Sequence, residues 1–178
     1  WLETDTYEIG STSWPVCSLP GVFSHGELDK GTKLLLEKHT SGMSGNVLDF
    51  ACGAGVIASY LMLTYPHLKM QLSDISALAI YASAMTLAAN GQSATLHAAN
   101  GLYGIEGKVQ HIVTNPPFHT GLKTDYTITK RFIEDARKML SQSGTLQMVA
   151  NRFLPYPGLL AEHFPRVLTT AQTTQFSL

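Results

Sequence analysis

Asn-Val-Leu-Asp-Phe-Ala-Cys-Gly-Ala-Gly, residues 46–55, is the stretch that decides the fold. Its apolar first half predicts a buried strand, and its glycines predict a tight turn whose backbone comes close to a ligand. The apolar residues 56–63 that follow predict a helix that stops near Pro66. A strand, a glycine-rich turn and a helix in this order are typical of nucleotide-binding α/β folds.

The residues of this turn indicate what kind of ligand it holds. The spacing Gly53-x-Gly55-x-x-Ala58 fits a relaxed form of the dinucleotide fingerprint. Asp49 argues against a dinucleotide, because a carboxylate at the strand end repels a pyrophosphate and tolerates a cation such as a sulfonium-bearing amino acid. We therefore predict that Asp49, Ala51, Gly53 and Gly55 bind a cofactor.

A second predicted strand, residues 68–74, ends in an acidic residue. Asp74 lies roughly 20 residues beyond the glycine turn, where a carboxylate is placed to accept hydrogen bonds from both hydroxyls of a ribose. The alternative is that Asp74 caps the helix that starts near Ser76. The ribose role is favoured, and Ile75 is assigned to the cofactor site with it.

Asn-Pro-Pro-Phe, residues 115–118, follows the apolar run 111–114, which predicts a fourth buried strand. Proline has no N–H, so the carbonyls of this turn are available to a ligand. Asn115 adds a side-chain acceptor and Phe118 a flat apolar face, a combination that suits a planar ring with an exocyclic amino group. Asn115, Pro116, Pro117 and Phe118 are therefore predicted to be catalytic; the alternative is a loop that merely ends a strand.

The rest of the chain alternates predicted helices and strands, which indicates a mainly parallel sheet with helices on both faces. In such a sheet the carboxyl ends of the strands meet at one edge, so Asp49, Asp74, Asn100 and Asn115 could line one pocket. Asn100-Gly101 is also a strong turn pair. The remaining predicted helices cover residues 31–39, 77–89, 125–140 and a short segment at Pro157, and the remaining strands cover residues 95–98, 145–150, 167–170 and 174–178.

These motifs resemble class I methyltransferases that use S-adenosylmethionine, and more narrowly the ribosomal RNA guanine-N2 methyltransferases. The resemblance spans nearly the whole chain. Its more specific segments are Leu-Pro-Gly-Val-Phe-Ser at residues 19–24 and Phe-Leu-Pro-Tyr-Pro at residues 153–157. Leu28-Asp29 belongs to the matching residues too. Ala51 is a departure, because the family usually has glycine there.

The resemblance implies a Rossmann-like fold with a mainly parallel seven-stranded sheet whose last strand is truncated here. It implies that residues 1–178 form one methyltransferase domain, with an N-terminal extension and helix at 1–40, a core at 41–178 and an upstream domain outside this chain. It also implies S-adenosylmethionine as cofactor, with Asn100, Gly101 and Asn115 among its contacts. The implied substrate is a guanine N2 amine in 16S rRNA of the small ribosomal subunit.

Other functions fit parts of the pattern. The Asn-Pro-Pro-Phe chemistry also suits large-subunit rRNA guanine, an adenine N6 amine or a protein glutamine, and the residues 153–157 favour the small subunit. A catalytically silent scaffold domain is a further alternative, which the intact set of candidate residues opposes. His119, directly after the motif, is interpreted either as a substrate contact or as a solvated loop residue.

Composition sets limits on these interpretations. The chain has 178 residues, 44% of them hydrophobic, and a net charge of −1. Its charge is uneven: residues 1–100 hold four Lys or Arg and eight Asp or Glu, and residues 101–178 hold eight and five. A basic rim beside the reactive pocket is therefore a candidate RNA contact, and its members are Lys123, Lys130, Arg131, Arg137, Lys138 and Arg152. The alternative is an ordinary solvated helix face, which is favoured for Arg137 and Lys138. With two cysteines and no histidine pair spaced for zinc, we predict no metal site and a cytoplasmic location.

Overall fold

The computed structural model describes residues 1–118 and 123–178. Helices and strands alternate along most of the chain, as the sequence predicts. The strands are β1 Glu3–Ile9, β2 Thr12–Ser18, β3 Asn46–Phe50, β4 Lys69–Asp74, β5 Thr95–Ala98, β6 Val109–Thr114, β7 Leu140–Met148, β8 Ala150–Asn151 and β9 Phe176–Ser177. The helices are α1 Lys30–Lys38, α2 Val56–Thr64, α3 Ala77–Ala89, α4 Lys123–Met139 and α5 Tyr156–Ala161.

Five strands form a parallel sheet in the order β5-β4-β3-β6-β7. Strand β3 is central, and alternate side chains supply the two faces: Val47 packs in one buried cluster and Leu48 in the other. The predicted α/β fold with a mainly parallel sheet is thus confirmed. The parallel register brings the ends of β3, β4 and β6 to one edge, where the glycine turn and residues 115–118 follow.

The predicted strand count for this sheet is wrong. Among the described residues the central sheet has five strands, while β8 and β9 pair only with each other, antiparallel and two residues long. Residues 167–170 form no strand. Thr170 instead donates its N–H to the carbonyl of Leu178 at 2.9 Å, which closes a loop.

The N-terminal extension contains an antiparallel hairpin, β1–β2, that the sequence did not reveal. The hairpin is fixed to two helices by buried polar contacts. The Trp14 indole N–H donates to the Ser59 hydroxyl of α2 at 3.0 Å. The Cys17 N–H donates to the Thr86 hydroxyl of α3 at 2.9 Å. Tyr7 and Trp14 consequently lie in the same buried cluster as Val47 of the central strand.

Helix α3 covers the residues 77–89 that the sequence predicts. Ser76 caps its start by accepting from the Ala79 N–H at 3.3 Å. Asn90 and Gly91 end it: Gly91 adopts φ +63°, and the Gln92 N–H donates to the Leu87 carbonyl at 2.9 Å. Among the described residues, no helix combines the length and apolar character required to cross a membrane.

Candidate active site

A cavity of about 1350 Å³ opens at the carboxyl ends of the parallel strands. This volume exceeds the roughly 300–1,000 Å³ typical of a site for one small ligand. Ten of the predicted site residues line it, and they come from four different segments: Ala51, Gly53, Asp74, Ile75, Asn100, Gly101, Asn115, Pro116, Pro117 and Phe118. Asp49 and Gly55 are not among the residues that line it. The sheet therefore brings most of the predicted set together.

The two glycines of the turn have different surroundings: Gly53 lines the cavity, and Gly55 packs against helix α3. No described heavy atom lies within 4 Å of the place where a Cβ of Gly53 would stand, so this backbone is open to a ligand. A Cβ at Gly55 would meet the Ser83 backbone at 3.3 Å, and Gly55 has φ +77°. Gly55 is therefore needed for the packing of α3 against the turn. Ala51 adopts φ +58°, a conformation that favours glycine.

Asp74 joins the turn to the start of α3. One carboxylate oxygen accepts from the Gly53 N–H at 3.0 Å, and the other accepts from the Ser76 N–H at 2.9 Å. Since Ser76 itself caps α3, the helix does not use Asp74 as its N-cap residue. Asp74 is half-buried at the cavity wall, where its remaining acceptor positions are available for a hydroxyl donor.

Asp49 lies behind the turn and not on the cavity wall. Its carboxyl group is fully buried and accepts from the Ala58 N–H at 3.1 Å, while its second oxygen has no partner among the described residues. Burial, with a smaller contribution from the negative charge of Asp74, raises the pKa of Asp49 to about 8. The protonated form is therefore favoured at pH 7, which weakens the predicted electrostatic repulsion of a pyrophosphate.

Asn115 presents its side chain in a defined orientation. Its Nδ2 donates to the Asp29 carboxylate at 2.9 Å and to the Thr32 hydroxyl at 3.1 Å. A carboxylate can only accept, so these contacts identify the nitrogen side of the amide. The amide nitrogen is therefore directed toward the start of α1, and the carbonyl oxygen lies on the opposite side of the amide of a residue that lines the cavity.

Phe118 is held from two sides. Its ring lies in a cluster with Phe50 and Phe132, at centroid distances of 6.4 and 5.7 Å, and only 8% of the residue is exposed. Its backbone carbonyl accepts from the hydroxyl of buried Tyr156. This contact gives a physical role to the Phe-Leu-Pro-Tyr-Pro segment, since Tyr156 fastens the Asn-Pro-Pro-Phe motif to α5. His119 lies outside the described residues.

Several cavity residues were not predicted as site residues. Gly21, Val22 and Phe23 line the cavity beside Asp29, and Tyr103 does so with 86% of its surface exposed. The resemblance pointed to residues 19–24 and 28–29, although it gave them no role. Asn100, Gly101 and Asp74 meet at the wall, consistent with their predicted assignment to one site.

Some basic residues of α4 line the cavity and others do not. Arg131 and Lys138 line the cavity, whereas Arg137 packs over the Phe164 ring at 5.8 Å. Arg131 is highly exposed and forms only a long 3.8 Å contact with Asp135. Positive charge is thus present along one wall of the cavity. Among the residues that the structure describes, no group of three or more His, Cys, Asp or Glu is placed to hold a metal ion.

Comparisons with known proteins agree with this geometry. Residues 13–178 match the model of the methyltransferase small domain family. Ribosomal RNA small subunit methyltransferase C of Alteromonas mediterranea is 70% identical over 178 residues, which is 100% of this chain and 49% of that protein. The protein of the same name from Pseudoalteromonas atlantica is 46% identical over the whole chain and 52% of its own length. The chain spans about half the length of these relatives.

A solved structure gives the same result for the fold. The 16S rRNA N2 methyltransferase of T. thermophilus, in complex with AdoMet and guanosine, has a TM-score of 0.85 and 27% identity, over 99% of this chain and 50% of that chain. These matches confirm the predicted class I methyltransferase fold and the resemblance to ribosomal RNA guanine-N2 methyltransferases. On the match over residues 13–178, the chain belongs to the methyltransferase small domain family.

Proposed function

We propose that this chain binds S-adenosylmethionine and directs methyl transfer to the exocyclic N2 amine of a guanine in 16S rRNA of the small ribosomal subunit. The observation that carries the proposal is the placement of Asn115. Asn115 lines the same large cavity as Asp74, and its amide nitrogen is turned to Asp29 and Thr32, which leaves the oxygen as the acceptor end of the amide. Asp74, a candidate acceptor for a ribose, and Asn115, a candidate acceptor for an amine, thus line one cavity that has room for two ligands.

The residues present fit the proposed cofactor. Asp74 offers acceptors to a ribose diol, and the open backbone at Gly53 and Gly101 permits close approach, since a Cβ at either would meet no described atom within 4 Å. Ile75, which is 73% exposed at the cavity, offers an apolar surface to a flat base. When bound, S-adenosylmethionine supplies an electrophilic methyl group on a sulfonium.

Asn115 and Pro116 would act on the nitrogen that receives the methyl group. The lone pair of a guanine amine is delocalised into the ring, which makes the amine a poor nucleophile. Two acceptors, the Asn115 amide oxygen and the Pro116 carbonyl, favour a more tetrahedral nitrogen by taking its two N–H donors. The lone pair is then directed away from the ring. Alignment and charge complementarity supply the rate enhancement.

Two observations support RNA as the substrate: the names of the relatives and the positive charges on the cavity wall. The most similar relatives are named as small-subunit enzymes. Arg131 and Lys138 place cations beside the cavity, where RNA phosphates could bind. A base must leave its helical stack, or be single-stranded, to reach Asn115. A cytoplasmic location agrees with two free, buried cysteines, Cys17 and Cys52.

The test is transfer of a labelled methyl group by the full-length protein. S-adenosylmethionine is supplied with purified small subunits, large subunits or free rRNA, and the RNA is digested to nucleosides. We expect labelled N2-methylguanosine from small-subunit material. Label in N6-methyladenosine or in protein glutamine contradicts the guanine assignment. If N2-methylguanosine is found only in large subunits, the substrate is large-subunit rRNA and not 16S rRNA. No transfer, with an intact fold and no cofactor binding, indicates a silent scaffold.

A further inference from the structure

The carboxylate of Asp29 serves two parts of the molecule at once. One of its oxygens accepts from the Thr32 N–H at 3.0 Å and thereby caps helix α1. The same oxygen accepts from Asn115 Nδ2 at 2.9 Å, 86 residues along the chain. The Thr32 hydroxyl lies 3.1 Å from the same nitrogen. The first turn of α1 is therefore fastened to the catalytic motif through a single amide group.

This arrangement determines which end of the Asn115 amide meets a substrate. The oxygen and nitrogen ends of a carboxamide have nearly the same shape, so a rotation by half a turn would present N–H donors to the cavity. That rotation would bring the amide oxygen against the Asp29 carboxylate, and two acceptors repel each other. An amide with its N–H groups toward Asp29 keeps its oxygen at the cavity, where an amine donor requires an acceptor.

The charge of Asp29 also improves that acceptor. A hydrogen bond from Nδ2 to a carboxylate is stronger than one to a neutral oxygen. It polarises the amide and increases the negative charge on the Asn115 oxygen, because linked hydrogen bonds strengthen one another. Thr32 is 6% exposed and Asp29 is half-buried, so water competes little for these contacts.

We propose that Asp29, together with Thr32, is a positioning pair that holds the Asn115 amide with its oxygen toward the methyl-accepting amine. The inference rests on the proposed function, in which Asn115 accepts from that amine. It assigns the Leu28-Asp29 segment a part in the chemistry beyond capping α1. It also accounts for an amide at position 115, since an aspartate there would place two carboxylates in contact.

The first test separates positioning from capping. Serine caps a helix about as well as aspartate, but its shorter, uncharged side chain cannot reach Asn115 while it caps Thr32. We expect Asp29→Ser to lower kcat by about 10- to 100-fold, as the loss of an outer-shell partner commonly does. The melting temperature and the Kd of S-adenosylmethionine should remain close to those of the unmodified protein. Glu37→Gln, an exposed acidic site on the same helix, is the matched control and should leave kcat unchanged.

The second test exchanges the two side chains. Asn115→Asp alone should be nearly inactive, because the introduced carboxylate and that of Asp29 repel each other and neither charge is satisfied. Adding Asp29→Asn restores one amide facing one carboxylate, and we expect at least about a 10-fold recovery of kcat over Asn115→Asp. Full activity of Asp29→Ser, or no recovery in the exchanged double variant, would overturn the positioning role.

A third measurement does not depend on methyl transfer. In the ¹⁵N-labelled full-length protein, the Asn115 side-chain amide protons should exchange slowly with solvent, and Asp29→Ser should accelerate the exchange by roughly 10-fold or more. Fast exchange in the unmodified protein contradicts the contact itself. If slow exchange is accompanied by methylation of a different amine, the substrate assignment fails while the role of Asp29 stands.

Discussion

The buried carboxyl group of Asp49 accepts a hydrogen bond from the backbone N–H of Ala58 at 3.1 Å, and through this contact the central strand caps helix α2. The residue before the helix is Gly55, which has no side chain to perform this function. A protonated carboxyl group still has a carbonyl oxygen that accepts this bond. Asp49 therefore supports the turn from behind while Gly53 meets the cavity.

Replacing Asp49 by asparagine should change how stability depends on pH. The folded pKa of about 8 lies above the ordinary value of 3.8, so the folded protein holds a proton that the unfolded chain releases between these values. The free energy of unfolding should therefore fall, relative to Asp49→Asn, by about 1.4 kcal/mol per pH unit as pH rises from 4 to 8. Urea unfolding of both proteins at several pH values measures this difference. Parallel pH profiles contradict a neutral, buried Asp49.

Ala51 offers a test of backbone strain in the same turn. Its φ of +58° is costly for a residue with a Cβ, and Ser24 is the other described non-glycine residue with positive φ. Ala51→Gly should raise the free energy of unfolding by about 0.5–1 kcal/mol, since relief of the strain exceeds the added flexibility of the unfolded chain. Ala58→Gly, within helix α2, is the control and should be destabilising. Chemical unfolding at one pH gives both values.

The fold could be predicted from the sequence wherever short segments carry their own signals. The central strand is an apolar run, the turn is marked by glycines, and the helix predicted at residues 77–89 is found there. The β1–β2 hairpin lacked such signals. Its strands are half polar, and Pro15 interrupts the pattern; it is tolerated because β2 pairs only with β1.

The sequence predicted many of the residues that line the cavity, but not the hydrogen bonds that these residues make. The parallel sheet brings Asp74, Asn100 and Asn115 to one edge, which follows from the order of the elements. Two features depend on three-dimensional placement. Asp49 turns away from the cavity toward α2, and Asp29 meets Asn115 across 86 residues of sequence. Local sequence patterns do not show where a side chain points or which distant residue it contacts, so neither the Asp49–Ala58 contact nor the Asp29–Asn115 contact could be predicted.

Substitutions of Asp74 and Asn115 should have different effects: the first should mainly weaken cofactor binding, and the second should mainly lower turnover. Asp74→Ala removes a charge-assisted acceptor and should weaken S-adenosylmethionine binding by about 1.5–3 kcal/mol. Asn115→Ala should lower turnover by about 100-fold, with a much smaller change in cofactor affinity, because its contact matters most in the transition state. Calorimetry and labelled-methyl transfer measure the two effects.

Tyr156 should prove important for the catalytic motif although it lies in another segment. Tyr156→Phe removes the hydroxyl that donates to the Phe118 carbonyl and leaves a buried acceptor unsatisfied. We expect a loss of about 1–3 kcal/mol in stability and a fall in turnover that exceeds any change in cofactor affinity. Tyr81→Phe, on the exposed surface of α3, provides the control. Equal behaviour of the two variants contradicts a role for the Tyr156 hydroxyl.

The basic wall of the cavity should govern RNA binding without affecting the cofactor. Arg131→Glu with Lys138→Glu reverses two charges that line the cavity. Each lost phosphate contact weakens binding and reduces the dependence on salt, so we expect kcat/KM for RNA to fall by about 10-fold or more and its logarithmic slope with salt to become shallower by about 1–2. The Kd of S-adenosylmethionine should stay unchanged.

A matched control variant tests whether the loss of RNA binding depends on the position of the reversed charges or only on the change in net charge. Lys38 and Lys69 are exposed, and Lys69 starts the strand that ends at Asp74, so it lies at the opposite end of the sheet from the cavity. Lys38→Glu with Lys69→Glu changes the net charge by the same amount as the cavity pair. If RNA is bound at the cavity wall, this control should lose only the modest affinity that long-range attraction supplies. Equal losses in both double variants, at several salt concentrations, would assign the effect to overall charge and remove Arg131 and Lys138 from the RNA contact.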